Sequence, residues 1–157
     1  MITACKNYIT EHNYKTIWEY QQEELLEKLK NCIKLNHDYQ NFFQKTKQRL
    51  EEEQDEKQFE FSEMYIFGKI NSFTKRLQKI IEMMNTMKAY SCLGESRIEG
   101  LEIMWNKFQL IVTTMKKKPY DFLDYRKMDF DVDFEEFKRQ INELQVRLPD
   151  ELHCYVS

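Results

Sequence analysis

Apolar residues recur at alternating spacings of three and four residues in four separate stretches of this chain. This spacing keeps side chains on one face of an α-helix, so each stretch predicts an amphipathic helix with one apolar face, here called a seam. The four seams are Leu25, Leu29, Cys32, Asn36, Tyr39, Phe43, Thr46 and Leu50; Ile66, Ile70, Phe73, Leu77, Ile80, Met84 and Met87; Ile98, Leu101, Trp105, Phe108, Val112 and Met115; and Phe130, Phe134, Phe137, Ile141, Leu144 and Leu148. The pattern favours helices that pack against other helices.

Start and stop signals divide the chain into five predicted helices. We expect them at about 2–13, 22–53, 62–90, 96–118 and 131–148. Ser96 with Glu99, and Asp133 with Glu136, have the spacing of a capping box, which predicts that helices begin there. The acidic stretch 51–60 has almost no apolar residues and predicts a solvated connector. The expected fold is all-α, an elongated bundle of long amphipathic helices.

The composition agrees with long helices and argues against two classes of partner. Among 157 residues there are three glycines and two prolines, so tight turns are scarce. The net charge of -3 argues against a surface for nucleic acid or an anionic membrane, since either would need a basic excess. The basic run Lys116–Lys118 precedes Pro119, where cations complement the negative end of a helix dipole, and this role is favoured over phosphate binding.

The cysteines and the N-terminus bear on the compartment. The four cysteines are widely spaced and form no C-x-x-C pair, which favours a reduced, cytosolic environment. The first residues do not have a charged start followed by an apolar core, and no window approaches the length of about 18 apolar residues that a membrane span needs. We therefore expect a chain that is neither secreted nor membrane-spanning.

No motif predicts an active site. Gly68 and Lys69 lack the upstream glycine of a phosphate-binding loop, and the three histidines are isolated in sequence. A cysteine–histidine pair assembled from distant residues stays open, but ordinary packing or surface roles are favoured for these residues. We therefore expect no catalytic residue and no cofactor in this segment.

One group of carboxylates resembles part of a metal site. Asp129, Asp131 and Asp133 alternate like the first ligands of a calcium loop. Phe134 stands where such a loop needs glycine, and Gln140 stands where it needs a bidentate glutamate. A role at a helix N-terminus, where carboxylates complement the dipole, is favoured, and no metal is expected.

Two features of the seams predict interactions between helices. Asn36 is a polar residue at a seam position, which costs stability but can fix the register of paired helices. The exposed parts of the seams are expected to provide helix packing and a partner interface. The residues chosen for this role are Phe73, Leu77, Met84, Trp105, Phe108 and Phe137.

Four segments together resemble a known family: ITACKNYIT, FEFSEMYIFGKI, SRIEGLE and MKKKPYDFLDYRKMDFDVDFEEFKRQI. They are similar to the N-terminal tail of axonemal dynein heavy chains, with the outer-arm type closest. The matches run from Ile2 to about Leu144, and the block KKKPYDFLDYRKMDFD at Lys116 to Asp131 is the most specific of them. The resemblance thus covers nearly the whole chain.

The resemblance implies that residues 1–157 are a single, non-motor segment of a very large chain, whose ATP-hydrolysing ring and microtubule-binding stalk lie elsewhere. In that family the tail joins heavy chains to one another, carries intermediate and light chains, and anchors the arm to the doublet microtubule. The implied location is the cytoplasm, the cytoskeleton and the axoneme of the cilium. The alternative is a free-standing helical adaptor that binds a partner helix in a groove.

The C-terminal end departs from the family. The family continues into more tail helices, whereas this chain turns at 147–150 and stops at Ser157. We therefore expect a fragment, a truncated product or the end of a gene model. Expressed alone, it would lack the neighbours that cover its seams, which predicts self-association or partial disorder.

Overall fold

The structure is a computed structural model that describes residues 1–11, 16–53, 63–91 and 101–147. Within these ranges the chain forms five α-helices and one 3-10 turn, without a β-strand. The helices are α1 (Ile2–Thr10), α2 (Gln22–Glu53), α3 (Glu63–Tyr90), α4 (Leu101–Lys117) and α5 (Asp129–Arg147), and the 3-10 turn is Ile17–Glu19. The all-α fold predicted from the seams is confirmed.

Two helix ends differ from the predicted ones. α1 ends at Thr10 because Glu11 adopts a left-handed backbone conformation, with φ of 53°, and its N–H donates to the carbonyl of Asn7. α5 begins at Asp129, before the predicted start at 131. Residues 51–53 of the predicted connector 51–60 belong to α2. The rest of that connector, the predicted capping box at Ser96 and the chain beyond 147 lie outside the described residues.

The chain divides into two compact units, and the division falls within α3. The first unit is Met1–Gln78 and contains α1, the 3-10 turn, α2 and the beginning of α3. The second unit is Lys79–Ser157 and contains the rest of α3 with α4 and α5.

The core of the first unit is made by the inner faces of α2 and α3, with α1 packed on α2. Leu29, Phe73 and Leu77 have no solvent exposure, and Cys5 and Ile9 of α1 are also buried. Burial of one such aliphatic or aromatic side chain stabilises the fold by about 1.5–3 kcal/mol. The first half of the first seam, from Leu25 to Asn36, is therefore buried as its periodicity predicts. The same holds for Ile70, Phe73 and Leu77 of the second seam.

A polar network joins α2 to α3 inside this core. Asn36 is 5% exposed, and its Nδ2 lies 3.3 Å from Oδ1 of Asn71 and 3.4 Å from Oγ1 of Thr74. Gln40 Nε2 donates to Oδ1 of Asn36 at 2.9 Å and to Oδ1 of Asn71 at 2.6 Å. These bonds form only when the two helices are in one alignment. The network therefore fixes the register between α2 and α3, which is the role that the sequence predicts for Asn36.

The second unit is built around a run of aromatic rings. Rings of Phe130, Phe134 and Phe137 follow one another along α5 at centroid distances of 5.8 and 6.2 Å. Tyr120 and Phe122, from the connector before α5, meet Phe130 edge-on at 5.5 and 5.2 Å. The connector between α4 and α5 thus packs against α5 through its aromatic rings.

Asp133 has a different role from the predicted helix cap. α5 has already begun at Asp129, so Asp133 lies in its second turn and not at the N-cap. Its carboxylate accepts hydrogen bonds from Lys118 at 2.6 Å and from the hydroxyl of Tyr120. These bonds hold the connector against α5. Asp131, in the first turn, is also occupied, since it accepts a bond from Lys79 at 2.8 Å.

The Asn36 network provides a first test of the fold. Replacing Asn36 with alanine removes the groups to which Gln40, Asn71 and Thr74 bond in a buried place. We expect the free energy of unfolding to fall by about 1–3 kcal/mol, because the three hydrogen bonds of Asn36 are lost while Gln40 and Asn71 keep the bond between them. Urea denaturation followed by circular dichroism would measure it.

The matched control is Asn41→Ala, at an exposed position of the same helix, which gives the same gain in helix propensity without touching the network. We expect it to change the free energy of unfolding by no more than about 0.5 kcal/mol. Equal urea midpoints for the two variants would show that the network does not stabilise this unit.

Asp133 provides a test of pH dependence. Hydrogen bonds from Lys118, and then from Tyr120, lower the pKa of this carboxyl below its ordinary value of 3.8. Folding therefore favours the ionised form, and the stabilisation is present above pH 3.8 and lost as the pH falls through the lower, folded pKa. We expect Asp133→Asn to be less stable than the wild type at neutral pH, with the difference narrowing in acid.

Urea unfolding of both proteins at a series of pH values would measure that difference. Tyr120→Phe, which removes one of the two donors, is expected to reproduce part of the effect. A stability difference that stays constant from neutral pH into acid would contradict the assignment of the carboxylate to these donors.

Candidate interaction surfaces

The six seam residues expected to provide helix packing and a partner interface lie mainly in the interior. Phe73 and Leu77 are buried in the first unit. Met84, Phe108 and Phe137 are buried in the second. Their side chains pack within their own units, and the contact with a partner expected of them stays a prediction.

Trp105 differs from the other five because it is only half-buried. Its ring lies 5.6 Å from that of Phe108, which also stacks on Tyr90 at 5.7 Å. Trp105 therefore extends an interior aromatic cluster towards the surface of α4.

Exposed apolar side chains are most closely grouped on the outer face of α2. Leu35 is 52% exposed, Tyr39 51% and Phe42 69%. Spacings of four and three place them on one side of two successive turns, and we call these three residues the α2 patch. The ring of Tyr39 also meets Phe67 of α3 edge-on at 6.0 Å, so the patch borders the contact between these helices.

The four seams do not include this patch, because each seam follows one apolar face of its helix. Tyr39 belongs to the first seam, whereas Leu35 and Phe42 belong to none. The separation of Leu35 from Phe42 by seven residues is the signal that could have revealed a second apolar stripe.

Cations lie beside the α2 patch, in a basic stretch of α2 whose two ends, 22–27 and 51–53, are acidic. Residues 28–50 contain six basic residues and one acidic residue, although the whole chain has a net charge of -3. Lys34, Lys45 and Arg49 are exposed, and the last two lie three and seven residues after Phe42 on its side of the helix. Lys28, at the other end, forms an ion pair with Glu11.

Exposed apolar residues are more scattered in the second unit. Ile103 and Leu110 lie on α4, while Val132 and Val146 are fourteen residues apart on α5. Isolated apolar side chains of this kind are common on protein surfaces. The second unit therefore has a weaker candidate surface than α2.

The three aspartates that resemble calcium ligands do not converge. In a helix, Asp131 faces away from Asp129 and Asp133, because residues two apart differ by about 200°. Asp131 bonds to Lys79, whereas Asp133 bonds to Lys118 and Tyr120. Among the described residues, no three histidine, cysteine or carboxylate side chains are grouped to hold a metal ion.

The basic run lies where the sequence predicts, at the C-terminal end of α4. Lys116 and Lys117 are in the last turn of the helix, where they complement its dipole. Lys118 follows the helix and is paired with Asp133. The run therefore has a structural explanation within this unit.

Two cysteines meet where α1 packs on α2. Cys5 and Cys32 are both buried and both free thiols. Burial, with a smaller effect of Cys5, raises the pKa of Cys32 to about 12. Cys32 therefore remains a protonated thiol near neutral pH, which is a poor nucleophile.

Within the described ranges, no helix has the length and apolar content required to cross a bilayer.

Comparison with known proteins assigns the chain to a protein family. The family model for the dynein heavy chain, N-terminal region 1, matches residues 1–153. The chain is 54% identical over 144 residues to dynein axonemal heavy chain 5 of Mus musculus, which covers 92% of this chain and 3% of that protein. It is 47% identical over 148 residues to dynein axonemal heavy chain 8 of Homo sapiens, with 94% and 3% covered.

A more distant relative is the dynein gamma chain, flagellar outer arm, of Chlamydomonas reinhardtii. It is 36% identical over 149 residues, with 94% of this chain and 3% of the relative covered. The chain thus spans about 3% of the length of these relatives. Because the family model extends over nearly all of its residues, the chain belongs to the dynein heavy chain family, within N-terminal region 1.

Proposed function

We propose that this chain is a non-catalytic tail segment of an axonemal dynein heavy chain. Its role is to associate with other heavy chains, to bind intermediate and light chains, and to anchor the dynein arm to the doublet microtubule for ciliary movement. The observation that carries the proposal is the match to N-terminal region 1 along residues 1–153, together with relatives named as axonemal and outer-arm chains.

The arrangement of side chains supports a scaffolding role. The buried residues of each unit are mostly apolar, and the buried polar groups described above are engaged in bonds between helices. A scaffold of this kind holds its own geometry and presents outer helix faces to other chains. The ATPase motor lies elsewhere in a full-length heavy chain.

The names of the relatives also support a location. Heavy chains described as axonemal or as parts of the flagellar outer arm suggest that this chain acts in the cytoskeleton of the cilium, after synthesis in the cytoplasm. Its contact with the doublet microtubule would then be made through the assembled arm.

An immunoblot tests this proposal. An antibody against Lys116–Asp131 would be applied to ciliated cells and to isolated axonemes. We expect a polypeptide many times larger than 19.4 kDa that is enriched in axonemes, because a tail segment belongs to a giant chain.

Blocking with the Lys116–Asp131 peptide is the specificity control for this blot. A band near 19.4 kDa that remains in the soluble fraction would contradict the tail assignment for this product. That result would favour the free-standing helical adaptor instead.

A further inference from the structure

We propose that the α2 patch and the cations beside it dock an amphipathic helix with acidic flanks, contributed by another polypeptide of the arm. The inference rests on the proposed function, because it names the surface and the chemistry by which the tail segment would bind a partner subunit. It specifies a face of α2 to which no role has been given so far.

The grouping of the patch is the first reason. Single exposed apolar residues are ordinary, but three large ones on two turns of one helix form a continuous apolar surface. Leu35, Tyr39 and Phe42 are each more than half exposed and occupy positions i, i+4 and i+7. A helix laid along such a stripe buries all three with its own apolar face.

The unit's own core does not need the patch. Leu29, Cys32 and Asn36 point to the inner side of α2, where they are buried against α1 and α3. Phe42 is outside that core, while its neighbour Phe43 meets Phe67 of α3 at 5.2 Å. Packing among the described residues of the unit therefore explains the position of Phe43 but not that of Phe42.

Charge selects the kind of partner. Lys34, Lys45 and Arg49 flank the patch, and within the described part of the chain none of these three is in an ion pair. Asp38 is the one acidic residue between 28 and 50, and it lies on the patch side of α2, three residues after Leu35, so the three exposed cations outnumber it. Carboxylates beside the apolar stripe of an incoming helix would complement these cations, whereas lysines there would be repelled.

The same charge opposes pairing with a second copy through this face. Two α2 patches brought together would place Lys34, Lys45 and Arg49 of one chain near the same cations of the other. Like charges across an interface disfavour association, so the favoured occupant is a different, acidic helix.

Binding of a synthetic peptide tests the inference. The probe is a labelled helical peptide with leucines on one face and glutamates on both flanks, titrated with the 157-residue chain by fluorescence anisotropy. We expect Phe42→Ser to raise the Kd about tenfold or more, the equivalent of about 1.4 kcal/mol. The matched control is Leu110→Ser, because Phe42 and Leu110 are both 69% exposed, and it should change the Kd less than about twofold.

A charge reversal tests the second half of the inference. The double variant Lys45→Glu with Arg49→Glu should bind the glutamate-flanked peptide more weakly and a lysine-flanked peptide more tightly. Higher salt should weaken binding of the wild type, since these charges are exposed. Circular dichroism of each variant would establish that the helices are retained.

Several outcomes would overturn the inference. These are equal affinity for the two peptides, or equal losses in Phe42→Ser and Leu110→Ser. Wild-type self-association that Phe42→Ser abolishes would assign the patch to a second copy. Binding to phosphatidylserine vesicles that depends on Phe42 would assign it to a lipid surface.

The source of the helix and the proposed function are tested separately. A photo-crosslinking residue placed at the Phe42 position of the full heavy chain should crosslink that chain to another polypeptide of the arm. A crosslink to another part of the same heavy chain would show that the docking helix does not come from a second polypeptide. A giant axonemal band in the immunoblot, together with an unchanged Kd of Phe42→Ser for the acidic peptide, would reject the docking helix and leave the tail role standing. A soluble 19.4 kDa product that still binds the acidic peptide would reject the tail role and hence an arm subunit as the partner.

Discussion

The burial of one apolar stripe per helix is the interaction on which the rest of this structure depends. Helices in water gain little from backbone propensity alone, and most of their stability in proteins comes from packing an apolar face. Here Phe73 and Leu77 in one unit, and Phe130 in the other, have no solvent exposure. With three glycines and two prolines in the chain, the sequence provides few tight turns to organise the fold independently. The position of each helix is therefore set mainly by the stripe that it buries.

Apolar burial is not directional, so it does not by itself choose one alignment of two helices. Directional bonds supply that choice in both units. Asn36 bonds to Thr74 within the first unit, and in the second Lys79 bonds to Asp131. These groups are costly to bury without partners. Sliding one helix past the other by one turn would break these bonds, and the free energy lost would exceed any gain from the new apolar contacts. The polar residues of the interior thus determine which of several apolar packings is adopted.

The seams were predictable because a three-and-four spacing has one physical meaning along a long helix. The role of Asp133 was not, since a capping signal depends on four neighbouring residues, whereas Lys118 and Tyr120 reach the carboxylate through tertiary packing. The six seam residues show a related limit. Membership of a seam is a criterion for burial, so five of the chosen residues lie in the interior. An exposed interaction face has to be sought outside the seam. On α2 it is a second apolar stripe, on the side of the helix away from the buried one.

Net charge was a poor guide to that face for a similar reason. A value of -3 is a sum over the chain, and such a sum conceals the basic stretch 28–50 inside α2, because the acidic residues lie at the two ends of that helix and elsewhere in the chain. The local sign matters because exposed apolar residues alone accept many partners, including copies of the same chain and lipid. Cations next to Phe42 restrict that choice, since they attract an acidic surface and repel a basic one. The apolar stripe would thus supply most of the affinity of α2 for a partner, and the charge pattern along its outer face most of the selectivity.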